Sequence, residues 1–193
     1  MSRTDNFLNR TTRVELVTPV TGGSTVGVEI DPRQPAIVPV QFTVTRPADT
    51  TAYAVDDAIS SSASAPAAIS FTAGRTATGS GYIRGLVLQN SVAAATEVIE
   101  VDFYKAAVTP INDNAEATRL AANKANFLGT VILPALAKQT ANSDQSESQS
   151  FGLAIPYVCA AGSLLYAIVR TADTFTPVSA ETFTFTVFCE QLS

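Results

Sequence analysis

The sequence predicts an all-β protein, namely a jelly-roll-like antiparallel β-sandwich with one short helical insertion and an N-terminal arm. Three observations lead to this prediction. The 193-residue chain is rich in Thr, Ser, Ala and Val, a composition that favours strands and turns over helices. Short segments in which apolar and polar residues alternate recur along it, separated by turn residues. Their count is about eight to ten, which is typical of a two-sheet sandwich or jelly roll.

Two parts of the chain differ in pattern. Residues 1–36 predict an N-terminal arm or extension with short strands, and residues 37–193 predict the β-sandwich domain. The first twelve residues are polar apart from Phe7 and Leu8. Short strand candidates follow at residues 13–18 and 24–30. The two prolines of DPRQP, residues 31–35, then interrupt any strand ladder.

The sandwich domain begins with IVPVQFTVT, in which Val38, Val40, Phe42 and Val44 share one face of a half-buried strand. Pro39 indicates an edge strand or a bulge. Later segments alternate in the same way. They are AISFT, GYIRGLVLQNS, EVIEVDFYK, NFLGTVIL and ETFTFTVFCEQ. EVIEVDFYK predicts three inward residues, Ile99, Val101 and Phe103, and three outward residues, Glu100, Asp102 and Tyr104. ETFTFTVFCEQ predicts that Phe183, Phe185, Val187 and Cys189 share one face.

Two segments between strands have other patterns. PINDNAEATRLAANKAN, residues 110–126, concentrates helix-forming residues and predicts the helical insertion. KQTANSDQSESQS, residues 138–150, has no periodicity and predicts an exposed polar loop.

The uncharged run LAIPYVCAAGSLLYAIV, residues 153–169, is compatible with a membrane helix or with two strands. A spanning helix needs about 20 apolar residues, and Pro156 and Gly162 disfavour one here. A four-residue loop containing Gly is typical of a hairpin, so we expect two strands joined by residues 160–163. If residues 164–169 are buried on both faces, the opposite sheet covers one face. The helical segment, the arm or another subunit covers the other, and we expect a neighbour or the arm.

Composition disfavours several functions. The chain has no His, a net charge of −5 and two cysteines. Without His it lacks the commonest general base and zinc ligand, so we expect no enzyme activity, cofactor or metal. Its acidity disfavours nucleic acid as a partner. The N-terminus lacks an apolar signal segment, so we expect synthesis in the cytoplasm without standard export. Cys159 and Cys189 are expected to be buried, reduced thiols, with pairing across neighbouring strands as the alternative.

We interpret the acidic residues as structural. Asp56 and Asp57 lack the spacing of a calcium loop, and we interpret them as a solvated turn. Asp113 is interpreted as a cap of the helical segment. Glu97 and Glu100 fall on opposite strand faces and do not form the converging pair that a carbohydrate hydrolase needs.

The positions of the aromatic residues indicate packing in the core and not a catalytic role. Most are Phe at inward strand positions, where core packing is the default role. Tyr53, Tyr82 and Tyr104 are candidate interface residues, because Tyr is enriched at protein interfaces.

From Arg46 onward the chain resembles small β-sandwich structural proteins of tailed-phage virions, of the head decoration or cement type. The segments that carry the resemblance are TRPADTTAYAVDDAISSS, AISFTAGRTATGSGYIRGLVLQNS, EVIEVDFYK, PINDNAEA and NKANFLGTVIL. Together the matching region covers roughly two-thirds of the chain. Two departures are residues 1–36, which lie outside the match, and Asp56, which stands where the family often has Gly.

The resemblance implies a mechanical function. Such a protein docks on the outside of an assembled head, bridges capsomers and stabilises the shell. The implied partners are the major capsid protein and other copies of the chain, in a trimer or dimer. The implied location is the capsid surface, after synthesis in the host cytoplasm. Arg3, Phe7, Leu8 and Arg10 of the arm are the candidate residues for capsid or subunit contact.

Two alternatives remain at this point. One is a tail or fibre-associated module that binds a receptor or carbohydrate, with few copies per particle and a groove lined by exposed Tyr. The other is a hydrolase built on a jelly roll, which needs converging carboxylates.

Overall fold

A computed structural model of the protein describes residues 35–138, 140 and 144–192. They belong to the second of two units into which the chain divides, Pro35–Ser193. The predicted arm lies outside the described residues, apart from residues 35 and 36, and Ala36 already belongs to the first strand.

The described residues form nine strands and one short 3-10 helix, Ala121–Asn126. The strands are β1 Ala36–Thr45, β2 Ile69–Thr72, β3 Ser80–Asn90, β4 Ile99–Tyr104, β5 Phe127–Ile132, β6 Ala137–Lys138, β7 Ser146–Val158, β8 Leu164–Thr171 and β9 Thr182–Gln191.

The strands form two antiparallel sheets. One has the order β1-β9-β3-β7-β6, and the other has the order β2-β8-β4-β5. The predicted all-β sandwich is therefore confirmed. The pairing is nested: β1 pairs with β9, β2 with β8, β3 with β7 and β4 with β5. This nesting is compatible with the jelly-roll-like path that the sequence predicts.

The core lies between the sheets and contains the predicted inward faces. On β9, the inward residues Phe183, Phe185, Val187 and Cys189 are completely buried. Phe42 of β1 stacks on Phe185, with ring centroids 4.8 Å apart. It also stacks on Phe71 of β2, at 5.5 Å. Because Phe71 belongs to the opposite sheet, this aromatic stack joins the two sheets where both have an edge strand.

The predicted hairpin is wrong. β7 lies in the five-stranded sheet and β8 in the four-stranded sheet, so residues 159–163 cross between sheets instead of joining neighbouring strands. Tyr157 and Leu165 bury against the core from opposite sides. An apolar run with a central Gly fits either connection, because burial alone does not say which sheet a strand joins. Among the described residues, no helix has the length and apolar character needed to cross a membrane.

The predicted polar loop at residues 138–150 is wrong over its last five residues, which begin β7. Ser146 and Ser148 point inward and are buried. Their hydroxyls donate to the carbonyl oxygens of Val92 (2.8 Å) and Pro134 (2.5 Å). These bonds make burial of small polar side chains tolerable. Since the outward residues are also polar, no alternation of hydrophobicity was visible.

The outer face of the four-stranded sheet is covered by segments of the same chain. Ala58, Val108 and Ala117 pack with Tyr104 and Ile168 in a second apolar cluster. The expectation that a neighbour or the arm covers β8 is therefore wrong for this face. The cover also explains why Asp102 and Tyr104, predicted to point to solvent, are buried.

The covering segment from residue 105 to residue 120 contains no helix in the structure, and only the short 3-10 helix that follows matches the predicted helical insertion. Its backbone instead bonds to residues 56–62. Examples are the bond from Ala117 N to Asp56 O and the bond from Asp113 N to Ser62 O, both 2.8 Å. Tertiary contacts have thus overridden the helix propensity of this segment.

Cys159 and Cys189 are free and buried, as predicted. Burial raises the pKa of the Cys189 thiol to about 12. Burial likewise raises the pKa of the Cys159 thiol. Both thiols therefore stay protonated near neutral pH, and neither is a ready nucleophile.

We expect a thiol reagent such as a disulfide dye to react with neither cysteine on mixing with the folded protein, and with both once denaturant is added. The physical reason is that the reactive species is the exposed thiolate. The measurement is dye release at pH 8 with and without guanidinium. Immediate release by the folded protein would contradict the buried positions, and release below two equivalents in denaturant would indicate an oxidised pair.

Candidate assembly surface

The outer face of the five-stranded sheet has a polar half. Thr43 and Thr45 of β1 lie opposite Thr184 and Thr182 of β9, with hydroxyl oxygens 3.3 Å apart in each pair. In the next pair along the strands, the Gln41 amide donates to the Thr186 hydroxyl at 3.0 Å. Such cross-strand pairs give modest stability and leave the surface hydrated.

The other half of this face is apolar and exposed. We call it the apolar end, and it consists of Ile37, Pro39, Phe151, Pro156, Val158 and Phe188. Ile37 is 60% exposed, and Phe151 and Val158 are each 56% exposed. Pro39, Phe188 and Phe151 lie side by side across the sheet. Neighbouring large apolar side chains in water are typical of an interaction site, whereas isolated ones need no explanation.

A glycine lets two aromatic rings of the apolar end meet. Phe188 of β9 and Phe151 of β7 both lie opposite Gly85 of β3. Their ring centroids are 5.5 Å apart. A Cβ atom on residue 85 would lie 2.5 Å from Cδ1 of Phe151. Any larger residue would displace this ring, so the absence of a side chain on β3 creates the aromatic pair.

One ion pair lies among the residues of the apolar end, because Glu190 and Tyr82 stand between Ile37 and Pro156 across the sheet. Arg84, at an irregularity in β3, places Nη2 2.5 Å from Oε2 of Glu190. Its guanidinium also lies 4.6 Å from the ring centroid of Tyr82. The pair is partly exposed, so it contributes little stability by itself. It does fix one positive and one negative group beside the apolar side chains.

The residues predicted for capsid or subunit contact, Arg3, Phe7, Leu8 and Arg10, lie outside the described residues. The apolar end was not predicted as a site. Alternation along the last strand predicts the outer face for Phe188, because it falls between Val187 and Cys189, whereas no face was predicted for Phe151. Among the predicted interface tyrosines, Tyr82 lies on this outer face, whereas Tyr53 and Tyr104 are buried within the chain.

Tyr53 belongs to a buried polar network. Arg46 Nε donates to the Tyr53 hydroxyl at 2.8 Å, and this hydroxyl donates to Oδ1 of Asp113 at 2.6 Å. Arg46 Nη2 lies 3.3 Å from Oδ2 of Asp113. The backbone N–H of Ser60 donates to the same carboxylate at 2.9 Å. Asp113 is therefore not a helix cap, and the interpretation of it as one is wrong.

The network joins residues 46–60 to the covering segment, residues 105–120, through Asp113. Burial, together with the hydrogen bond to Asp113, raises the pKa of the Tyr53 hydroxyl far above its usual value, so it remains a donor. A buried charge pair is costly to desolvate, and removing one partner leaves the other charge uncompensated. Each member therefore depends on the others being present.

We expect Asp113→Ala to lower the free energy of unfolding by about 3 kcal/mol or more, because it leaves the buried Arg46 without its enclosed carboxylate. Asp49→Ala is the matched control. Asp49 pairs with the same guanidinium nitrogen at 3.2 Å but is 42% exposed, against 2% for Asp113. Urea unfolding followed by circular dichroism measures both. Equal losses would contradict the role of burial.

The other singled-out acidic residues also have partners within the chain. Asp56 adopts a left-handed backbone, with φ of 68°, and pairs with Arg170. Asp57 Oδ2 accepts the N–H of Ala54 at 2.6 Å, which closes a turn. Glu100 pairs with the same Arg170. These contacts give the three acidic side chains structural roles within the chain.

Sequence reasoning missed one converging pair of carboxyl groups. Glu97 and Glu181 both accept hydrogen bonds from the Asn90 amide nitrogen, at 2.9 and 2.6 Å. They are only 5% and 3% exposed. A hydrolase needs carboxyl groups that a substrate can reach, and these two are enclosed. Their separation in sequence left no signal for the pairing.

The four-stranded sheet carries an apolar cleft of about 300 Å³. It is lined by Tyr104, Arg119, Leu120, Lys124 and Phe127 among others. Leu120 is exposed there, and the Arg119 guanidinium lies 5.1 Å from the ring centroid of Phe127. Arg119 also holds Asp102 through two hydrogen bonds of 2.8 and 2.7 Å. Its charge is thus already compensated.

Neither a protein-family model nor a curated protein matches this chain.

Proposed function

We propose that this protein is a structural component of a tailed-phage particle that decorates and stabilises the capsid. It binds the assembled shell and bridges capsomers. The observation that carries the proposal is the apolar end of the five-stranded sheet, an exposed surface suited to docking. The assignment to a tailed phage and to its capsid rests on the resemblance of the segments from Arg46 onward.

The architecture supports the resemblance in two places. The buried network joins Arg46 and Tyr53 of TRPADTTAYAVDDAISSS to Asp113 of PINDNAEA, so two of the segments that carry the resemblance form one structural unit. In addition, Asp56 stands where the family often has Gly, and its backbone is left-handed. Gly adopts that conformation without steric cost, which explains why a related chain would use it.

Binding of a decoration protein is linked to assembly of the capsid lattice. A protein that binds the assembled lattice and not free subunits stabilises the lattice by mass action. Burying apolar surface contributes about 25 cal/mol per Å². Contacts of modest strength suffice, since many copies on one shell act together.

The proposal includes the molecular setting. The partners are the major capsid protein and further copies of the chain, as a trimer or dimer on a local symmetry axis. The protein acts without catalysis, and it uses neither nucleic acid nor a membrane. It is made in the host cytoplasm and resides on the capsid surface.

The number of copies in a particle separates this function from the tail or fibre alternative. Decoration requires a ratio to the major capsid protein that matches a symmetry axis, whereas a tail or fibre module is present in few copies. Quantitative mass spectrometry of purified virions gives the ratio. Absence from the particles would refute both. The cleft on the four-stranded sheet does not present the exposed Tyr that the tail or fibre alternative predicts, because its tyrosine, Tyr104, is buried.

We expect the double variant Phe151→Asp, Val158→Asp to bind particles lacking this protein at least tenfold more weakly, because it places charges in the proposed contact. Truncation of a hot-spot residue at an interface centre costs about 2 kcal/mol or more, and about 1.4 kcal/mol corresponds to tenfold. Co-sedimentation with purified particles measures the binding.

Gln149→Asp is the matched control, since Gln149 is an exposed residue of the same strand, beyond the apolar end. It is expected to bind as the unaltered protein does. Thermal unfolding verifies that each variant is folded. Unchanged binding by a folded double variant would exclude the apolar end as the contact.

A further inference from the structure

Two enclosed carboxyl groups meet at one end of the sandwich. Glu97 lies just before β4 and Glu181 just before β9, and both bond to Asn90, the last residue of β3. The second oxygen of Glu97 accepts the N–H of Thr96 at 2.9 Å, and that of Glu181 accepts the N–H of Val178 at 3.0 Å. The β3–β4 connection and the β8–β9 connection therefore converge on these two side chains at the end of β3.

The pair has no cation to balance it among the described residues. The charged side chains on the elements packed around it are Arg46, Lys138, Glu147 and Asp173. Arg46 pairs with Asp49 and Asp113, and none of the ion pairs described includes Glu97 or Glu181. Glu147 accepts the Gln89 amide at 2.9 Å, and Asp173 accepts the N–H of Val98 at 3.1 Å.

Two enclosed carboxylates without a cation cannot both be ionised at low cost, because burial and mutual repulsion both oppose the second charge. One shared proton removes the repulsion and provides a donor between the two groups. Asn90 cannot replace that proton, since its amide nitrogen already donates to both.

We propose that the Glu97–Glu181 pair is a proton-dependent latch, which fastens the connections before β4 and β9 to the end of β3 and weakens as the pH rises through neutrality. Backbone bonds depend on the same closure. Ser91 N donates to Thr182 O at 3.0 Å, and Leu136 N donates to Glu97 O at 3.1 Å. Loss of the proton loosens this end of the sandwich, while the core between the sheets stays packed.

Electrostatics give the direction of the effect. Burial, with a further contribution from the charge of Glu181, raises the pKa of Glu97 from 4.5 to about 7. Between these values the folded state binds the proton more strongly than the unfolded chain does. Stability from the latch is therefore complete below the lower value and is lost as the pH rises to the higher one.

The composition makes this effect easy to detect. The chain contains no His, so no side chain with an ordinary pKa titrates between about pH 6 and 8. We expect the melting temperature of the protein to fall by several degrees between pH 5.5 and 8. Glu97→Gln imitates the protonated acid and should remove most of that fall.

Glu147→Gln is the matched control, because it changes a glutamate that also accepts a side-chain amide but lies outside the pair. It should keep the slope of the unaltered protein. A flat profile for the unaltered protein would overturn the inference. So would an undiminished slope in Glu97→Gln, or a slope lost in Glu147→Gln.

A second measurement decides the matter if Glu97→Gln does not fold. Carbon-13 NMR of the glutamate side-chain carboxyl carbons in the unaltered protein reports their titration directly. Titration of the Glu97 carboxyl near pH 7 supports the latch. Titration of every glutamate near its ordinary value would refute it.

Discussion

The pairing of β1 with β9 is the constraint on which the rest of the sandwich depends. These strands lie at the two ends of the described chain, and β9 also pairs with β3. Its inward aromatic residues fill the centre of the core. The core is therefore complete only when β9 pairs with β1 and β3, and long loops must be ordered before this pairing forms. Folds dominated by such distant contacts form slowly for this reason.

Much of the sandwich could be predicted from the sequence, because alternation with period two marks a strand with one buried face. The segments IVPVQFTVT and ETFTFTVFCEQ were assigned correctly on that signal. It failed at Ser146 and Ser148, where both faces carry polar residues. It also failed at the connection between β7 and β8, since sheet membership is decided by partners that are distant in sequence.

The candidate site divides in the same way. The outward position of Phe188 followed from its strand, but its meeting with Phe151 depends on a glycine of a third strand. Asp113 and Glu181 acquired their roles only through tertiary contacts. Local sequence suggests a cap or a surface charge for such residues, because their partners come from other segments. Polar groups enclosed by the fold are the part of this structure that single-segment patterns do not encode.

The outer edge of β1 has a consequence for how copies of this protein behave when crowded. Of the described strands, only β9 pairs with β1. An open strand edge can template strand addition and fibre growth. Pro39 of β1 has no N–H to donate to a strand added from another chain. The edge strand β2 of the opposite sheet is only four residues long. Both features discourage edge-to-edge pairing. Crowded copies of this protein are therefore hindered from joining strand to strand at these two edges.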